Sequence, residues 1–168
     1  MSTQIFAPHV SSITAIDVSP AMVEKYNARV GELGPKHAST RAMLGDLTCK
    51  PTSPSTLDGS KYQNFNLITV GAALHNFSNT EEAVQCLAER LRPGGALFIQ
   101  DVFDNGHKSS EEKQPHGFTL DELRSIMSNA GLVDFRFEVL PQELEIEVRA
   151  EEVSRIKCFV ARGLKRGQ

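Results

Sequence analysis

The spacing of apolar residues changes along the chain, and each change marks the end of one predicted element and the start of the next. Residues 12–16 form a short run of β-branched and small side chains, which predicts a buried strand that ends at Asp17. Residues 20–33 have apolar side chains at helical spacing, and Ser19 is expected to be the N-cap of this helix. The apolar face of the helix consists of Met22, Val23, Tyr26, Val30 and Leu33.

The following segments repeat this order of strand and helix. Residues 41–44 predict a second strand, and residues 65–71 predict a third that is apolar enough to be buried on both faces. A helix capped by Ser78 or Asn79 is expected to extend to Leu91, before a turn over 92–95 and a fourth strand over 96–102. Its inner face would consist of Ala83, Val84, Leu87 and Leu91.

The C-terminal part has a different order. Thr119 and Glu122 have the spacing of a capping box, and the helix that they begin is expected to end at Gly131. Residues 133–140 and 156–161 then predict two antiparallel strands joined by a charged, solvated stretch.

The order of elements predicts the fold class. Alternating strands and helices followed by a closing strand pair indicate an α/β fold with a Rossmann-like, doubly wound, mostly parallel sheet and an antiparallel C-terminal pair. Residues 1–168 are expected to form a single domain. Helical spacing in residues 1–10 predicts the last turns of a helix, and residues 49–59 predict a loop with one helical turn near Ser55.

Charge and composition exclude some classes of partner. The chain has 18 Lys and Arg against 21 Asp and Glu, and a net charge of −3 gives no reason to expect nucleic acid or an anionic membrane. No apolar run approaches the ~20 residues of a transmembrane helix, and no signal peptide begins the chain, so a cytoplasmic location is expected. No metal site is predicted, because the three cysteines are widely spaced and are expected to be free thiols: Cys49, Cys86 and Cys158.

Asp17 is the first candidate for chemistry. It ends a predicted strand directly before a helix, which is where open α/β sheets bind their ligands. An acid at this place in nucleotide-binding folds accepts hydrogen bonds from the ribose hydroxyls. The alternative is a solvated acid that only stabilises the helix N-terminus. The residues themselves leave both interpretations open.

Five short motifs, taken in order, resemble a known family. They are 16–22 with Asp17, 45–47 with Asp46, 71–77 with His75, the Pro-Gly-Gly turn within 91–97, and 116–119 with His116. Each motif is common alone, but this order and spacing resemble the class I S-adenosylmethionine-dependent methyltransferases. The resemblance is to the small-molecule branch that is similar to ubiquinone- and menaquinone-pathway enzymes.

The resemblance implies S-adenosyl-L-methionine as the cofactor. It places Asp17 on the ribose hydroxyls and Asp46 as the acceptor for the adenine amino group, although Asp46 could instead be the acid of a simple turn. Val18 and Met22 would pack against the adenine. The cofactor-binding residues are therefore expected to be Asp17, Val18, Met22, Asp46, Leu47, Gly71 and Ala72.

The resemblance also implies the reaction, an in-line displacement of the sulfonium methyl group by an O, N or C atom of a small-molecule acceptor. For a hydroxyl or acidic carbon a base is needed, with His75 as first candidate and His116 as second. Both histidines could instead be structural. The remaining histidines, His9, His37 and His107, are expected at the surface. Asp101 and Asp104, at the next strand end, could face the acceptor, but a solvated loop is the favoured expectation.

One departure from the family pattern concerns the N-terminus. The glycine-rich loop of dinucleotide folds lies ~20 residues before the ribose acid, and counting back from Asp17 passes Met1. We therefore expect the central first strand and its glycine loop to be missing, either in a shortened sequence or in a natural short form. Their absence would leave unpaired strand edges and half of a cofactor site.

Two other functions remain open. A catalytically inactive remnant of the fold could pair with a second copy or another chain that completes its sheet. A different nucleotide enzyme, such as a dehydrogenase, is less well supported because no G-x-G-x-x-G motif occurs in the sequence.

Overall fold

Two β-sheets organise the chain, one in each of its two units. The computed structural model describes residues 2–37, 40–104, 117–149 and 152–167. The first unit comprises Met1–Tyr62 and the second Gln63–Gln168. The expectation that residues 1–168 form a single domain stays a prediction.

The first unit contains a two-stranded parallel sheet. Strand β1 pairs with β2 so that Asp17 lies opposite Leu44. The Ser19 hydroxyl accepts a hydrogen bond of 3.4 Å from the Met22 N–H, which confirms the predicted N-cap. The elements of this unit are α1 (Ser2–Phe6), β1 (Ala15–Asp17), α2 (Pro20–Arg29) and β2 (Ala42–Leu44), with 3₁₀ turns at Ala7–His9, Val30–Leu33, Pro35–His37, Ser55–Asp58 and Ser60–Tyr62.

The predictions for this unit hold for the order of elements, but not for their lengths and only in part for their burial. The first strand begins at Ala15, and the helix is α-helical only to Arg29 before the 3₁₀ turn Val30–Leu33. The predicted apolar face is confirmed in part: Val30 is buried and Val23, Tyr26 and Leu33 are half-buried, whereas Met22 is 50% exposed.

The second unit contains a four-stranded sheet in the order β3-β4-β6-β5. β3 pairs with β4 in parallel, and β6 pairs antiparallel with both β4 and β5. These pairings confirm an α/β fold with parallel strands and an antiparallel C-terminal pair. The elements are β3 (Phe65–Gly71), α3 (Thr80–Glu89), β4 (Leu91–Val102), α4 (Leu120–Asn129), β5 (Leu132–Arg149) and β6 (Glu152–Lys165).

Both helices of this unit begin at the predicted caps. Asn79 Oδ1 accepts a 3.1 Å hydrogen bond from the Glu82 N–H, and Thr119 forms the capping box with Glu122. Ala83, Val84 and Leu87 on the inner face of α3 are buried as predicted, but the helix ends at Glu89, and the buried Leu91 is the first residue of β4. The side chains with 0% exposure in this unit include those of Val84, Leu97, Ile99, Leu123, Met127 and Phe159.

The predicted turn over 92–95 is a bulge inside a strand. Phe65 pairs with Leu91 and Leu67 pairs with Ala96, so the intervening Pro-Gly-Gly residues are accommodated without ending β4. A Cβ on Gly95 would lie 2.7 Å from the Phe65 carbonyl oxygen, so this close approach requires glycine.

Two further strand predictions need correction. Only Val70 of β3 is buried, although the apolar sequence indicates a strand that is covered on both faces; within the described residues β3 pairs with a strand on one side only. The C-terminal strands are longer than predicted and include most of the charged stretch. Glu143 and Glu145 of this stretch are exposed as expected, and Arg155 Nη2 lies 3.1 Å from Glu145 Oε1 in an exposed pair.

The helices of the described residues are too short or too polar to cross a lipid bilayer.

Candidate functional site

The carboxyl ends of β1 and β2 bring two acids to neighbouring positions in the first unit. Asp17 is the last residue of β1, and its carbonyl oxygen accepts a 3.0 Å hydrogen bond from the Gly45 N–H. Asp46 is the next residue after Gly45. The parallel register therefore places both predicted adenosine-binding acids at the same edge of the sheet.

The Asp17 carboxylate is oriented by the start of α2. Its Oδ1 accepts a 2.8 Å hydrogen bond from the Ser19 N–H. Its Oδ2 makes no hydrogen bond to any other residue of the described part of the chain. One oxygen is thus held by the protein while the other remains available as an acceptor.

Asp46 is held more tightly than Asp17. Its Oδ1 accepts hydrogen bonds from the Thr48 N–H at 2.7 Å and from the Thr48 hydroxyl at 2.6 Å. Partial burial raises the pKa of Asp46, but the hydrogen bonds from Thr48 and Cys49 outweigh it and lower the pKa below its ordinary value. The side chain is therefore held as an acceptor.

Exposed apolar side chains lie at the same strand ends. Val18 follows Asp17 and is 66% exposed, Met22 in the first turn of α2 is 50% exposed, and Leu44 at the end of β2 is 53% exposed. Leu47 is half-buried beyond Asp46. Three such side chains, beside two acids, can contact a flat apolar group whose polar edge needs acceptors.

Gly45 allows the turn between β2 and Asp46 to pack closely. A Cβ at this position would lie 2.5 Å from Leu57 Cδ1 and 2.9 Å from the Ser53 carbonyl oxygen. Asp46 and Ser53 also exchange backbone hydrogen bonds, of 2.6 and 3.2 Å. The position of Asp46 therefore depends on the absence of a side chain at residue 45.

The second unit contains the predicted residues at the end of β3. Gly71 is the last residue of the strand, and Ala72 has a φ of 50°, a left-handed conformation that alanine rarely adopts. The Ala72 N–H donates a 2.8 Å hydrogen bond to the Gln100 carbonyl oxygen, which extends the β3–β4 ladder by one residue. This conformation turns the chain into the 3₁₀ turn Leu74–Asn76, which contains His75.

His75 forms a hydrogen-bonded dyad with Asp101. His75 Nδ1 donates to Asp101 Oδ1 at 2.6 Å, and the His75 N–H donates to Asp101 Oδ2 at 3.3 Å. The Val102 N–H also donates to Oδ1, at 2.8 Å. Because a carboxylate oxygen can only accept, Nδ1 carries the proton of this hydrogen bond, and Nε2 is the ring nitrogen that Asp101 leaves unengaged. His75 is 18% exposed and Asp101 is completely buried.

Sequence reasoning missed the place of Asp101, which was expected in a solvated loop. Leu97, Ile99 and Asp101 occupy alternate positions of β4, and all three are buried. Because alternate residues of a strand face the same side, the predicted strand over 96–102 already placed Asp101 on the same face as Leu97 and Ile99. Asp104, in contrast, is exposed as expected.

The other histidines have different outcomes. His9 is exposed, as predicted. His37 is 2% exposed, so its predicted surface position is wrong; its Nε2 lies 2.7 Å from the Ala7 carbonyl oxygen, which satisfies the buried ring. His116 and His107 lie outside the described residues.

All three cysteines are free thiols, as predicted. Burial, and then the nearby charge of Asp101, raise the pKa of the Cys158 thiol. Cys158 therefore behaves as a small buried side chain opposite Val102 in the β4–β6 ladder.

Comparison with solved structures supports the fold. The YcgJ protein from Bacillus subtilis is similar with a TM-score of 0.71 and 16% identity, over 97% of this chain and 86% of that one. A SAM-dependent methyltransferase from Methanosarcina mazei is similar with a TM-score of 0.66 and 14% identity, over 100% of this chain and 88% of that one. At these identities the likeness shows the fold alone.

A curated relative and a family model extend the comparison to sequence. An uncharacterized methyltransferase from Schizosaccharomyces pombe, C1347.09, is 25% identical over an alignment of 144 positions that covers 77% of this chain. The chain spans 49% of the length of that relative. The model described as "Methyltransferase domain" matches residues 1–97, more than half of the chain. This protein therefore belongs to the methyltransferase domain family, with the class I fold.

Proposed function

We propose that this chain binds S-adenosyl-L-methionine and takes part in methylating a small-molecule acceptor on O, N or C. The proposal is carried by Asp17 and Asp46 at adjacent strand ends, beside the exposed Val18, Met22 and Leu44. Family membership implies S-adenosylmethionine generally. The narrower branch, similar to ubiquinone- and menaquinone-pathway enzymes, and a cytoplasmic location remain parts of the proposal.

The strand-end residues match the needs of an adenosine group. Asp17 Oδ2, without a protein donor in the described residues, would accept from the ribose hydroxyls. Asp46, with its lowered pKa, would accept from the adenine amino group. Val18 and Met22 would cover the adenine faces, with Leu47, Gly71 and Ala72 as further cofactor contacts predicted from the sequence motifs.

When bound, the cofactor supplies an electrophilic methyl group on a sulfonium sulfur. His75 is proposed to take a proton from the acceptor at Nε2, because Asp101 engages Nδ1 and fixes the tautomer. The buried carboxylate would stabilise the resulting imidazolium. This role suits an acceptor with a hydroxyl or an acidic C–H group. His116 stays the second candidate from the sequence motifs.

Calorimetry with S-adenosylhomocysteine tests the cofactor site. We expect Asp17→Asn to weaken binding by at least about tenfold, because a charge-assisted hydrogen bond to the ribose becomes a neutral one. Glu24→Gln, an exposed acid on α2, is the matched control and should bind as the wild type does. Equal affinity of the Asp17→Asn variant and the wild type would contradict the proposed site.

The same titration on a chain extended upstream of Met1 tests the predicted missing strand and glycine-rich loop. Tighter binding by the extended chain would support that prediction, and equal binding would argue against it. If the extended chain binds S-adenosylhomocysteine and the 168-residue chain binds it weakly, the adenosine site is present but incomplete. If neither chain binds it, Asp17 and Asp46 have no role in cofactor binding.

Nitrogen NMR of the imidazole rings tests the proposed base. We expect His75 to show the tautomer with the proton on Nδ1, and Asp101→Asn to increase the population of the other tautomer. His9 serves as the exposed reference in the same spectrum. A proton on His75 Nε2 in the wild type would rule out the assigned role.

A second candidate function is a partner that completes or shares a sheet. Among the described residues, β1 pairs only with β2 and β3 pairs only with β4, which leaves one edge of each strand open. Such edges can pair with a strand of a second copy or of another chain. Sedimentation of the purified chain tests this: a stable dimer without cofactor binding favours the partner role, and a monomer that binds S-adenosylhomocysteine rejects it.

A further inference from the structure

A pocket of about 380 Å³ opens in the first unit at the amino ends of β1 and β2. It is lined by residues that precede each strand, including Ser11, Ser12 and Thr40, and by Lys61 and Tyr62. Asp17 lies at the opposite end of β1, and none of the residues proposed for the adenosine site lines the pocket. The pocket is therefore separate from the proposed adenosine site.

Basic side chains dominate the charge of this pocket. Its lining includes Lys36, Arg41 and Lys61, and no aspartate or glutamate. Within the described part of the chain, the ammonium groups of Lys36 and Lys61 make no ion pair. Three cations around one concavity, without an acid in its wall, favour an anionic ligand.

Contacts within the unit orient two of these cations. Lys61 Nζ lies 4.7 Å from the centroid of the Tyr62 ring, which restricts the lysine to one side of the pocket. Arg41 Nη1 donates a 2.7 Å hydrogen bond to the Thr40 carbonyl oxygen. The buried His37 is anchored to the Ala7 carbonyl oxygen and closes the pocket wall.

Neutral donors complete the lining. The backbone N–H groups of Ser11 and Ser12 make no hydrogen bond to other described residues, and both residues are exposed. Several N–H and O–H donors beside ammonium groups match the oxygen-rich surface of a phosphate group better than the two oxygens of a carboxylate.

The size of the pocket favours a small ligand. Small-molecule pockets typically measure about 300–1,000 Å³, and this one lies near the lower end of that range. A nucleic acid needs an extended basic surface, whereas the whole chain has a net charge of −3. We propose that Lys36, Lys61 and the N–H groups of Ser11 and Ser12 bind the phosphate group of a phosphorylated small molecule.

Titration with inorganic pyrophosphate at constant ionic strength tests the proposal on the full chain. We expect binding by the wild type, and at least tenfold weaker binding by the double variant Lys36→Gln/Lys61→Gln. The matched control is Lys25→Gln/Arg29→Gln, which removes the same charge from exposed positions of α2 and should stay within twofold of the wild type. Amide shifts at Ser11 and Ser12 should follow the titration.

Three results would overturn the proposal. They are equal pyrophosphate affinity in the wild type and the Lys36/Lys61 variant, equal losses in both double variants, or no binding by the wild type. Binding of a 12-nucleotide oligonucleotide at least tenfold more tightly than pyrophosphate would also reject it, in favour of a nucleic-acid surface. The phosphate site does not rest on the proposed methyltransferase function, because no residue of the proposed adenosine site lines the pocket. Asp17→Asn should therefore leave pyrophosphate binding unchanged.

Discussion

The two units differ in how far their helices are buried. α2 in the first unit has no buried residue, whereas α3 and α4 in the second unit have buried faces. The first unit leaves Val18, Met22 and Leu44 at least half exposed beside its two acids. Apolar area that stays in water contributes nothing to folding but is available to a ligand. The second unit thus supplies packing, and the first presents the candidate adenosine surface.

One substitution in each sheet tests most directly whether the two units differ in packing. Leu97→Ala removes a side chain with 0% exposure from β4, and we expect a loss of about 3–5 kcal/mol in the free energy of unfolding. Leu44→Ala, at a 53% exposed position in β2, should cost less than about 1 kcal/mol. Urea unfolding of both variants measures the difference, and similar losses would show that the first unit packs as densely as the second.

Glycine 45 tests how closely the first unit packs at its strand ends. Gly45→Ala places a Cβ 2.9 Å from the Ser53 carbonyl oxygen and 2.5 Å from Leu57 Cδ1, and should destabilise the protein by about 1–3 kcal/mol. Gly59→Ala is the control, because its Cβ would have ordinary contacts at 3.4 Å and its φ is −61°. Thermal unfolding that affects both variants equally would refute the steric explanation.

Ala72 follows the end of β3 in the second unit, as Gly45 follows the end of β2 in the first. Ala72 has a left-handed backbone conformation that favours glycine over alanine. Ala72→Gly relieves a left-handed alanine with φ of 50°, and we expect a gain of about 0.5–1 kcal/mol after the added unfolded-state entropy. Ala73→Gly, at φ of −136°, should instead destabilise by roughly 0.5–1 kcal/mol. Urea midpoints that move in the same direction for both variants would contradict this assignment.

The smallest expected effect concerns acid stability. Because the pKa of Asp46 is lowered in the folded state, its contribution to stability is present above its ordinary pKa of 3.8 and is lost as pH falls below that value. Thr48→Val removes one hydrogen bond and should move the pKa upwards. Carboxyl NMR titration measures the pKa directly, and an unchanged value in Thr48→Val would show that the hydroxyl is not a cause.

Local sequence signals predicted much of the fold because their physics is local. The caps at Ser19, Asn79 and Thr119 are confirmed, since each depends on a side chain within three residues of the N–H that it accepts from. The bounds of β3 are also as predicted. The lengths of β5 and β6 were not predictable, because their charged residues become strand only through cross-strand pairing.

The candidate functional residues were less predictable from the sequence, because their contacts also join segments that are distant along the chain. The sequence places Asp17 and Asp46 at strand ends, but 29 positions apart, and only the parallel register brings those ends together. Asp101 was missed because its partner His75 is distant in sequence and on another element. His37 was missed because the acceptor that satisfies it, the Ala7 carbonyl oxygen, is also remote.

The sequence by itself determined the order of strands and helices, their caps, the α/β class, and the presence of an acid at or just after the end of each of the first two strands. These follow from side-chain periodicity and from hydrogen bonds between near neighbours. Only the tertiary structure decided that Pro-Gly-Gly forms a bulge, that Asp101 is buried beneath His75, and that cations gather at the amino ends of β1 and β2. Each of these depends on segments that are distant along the chain, and local sequence patterns contain no record of such contacts.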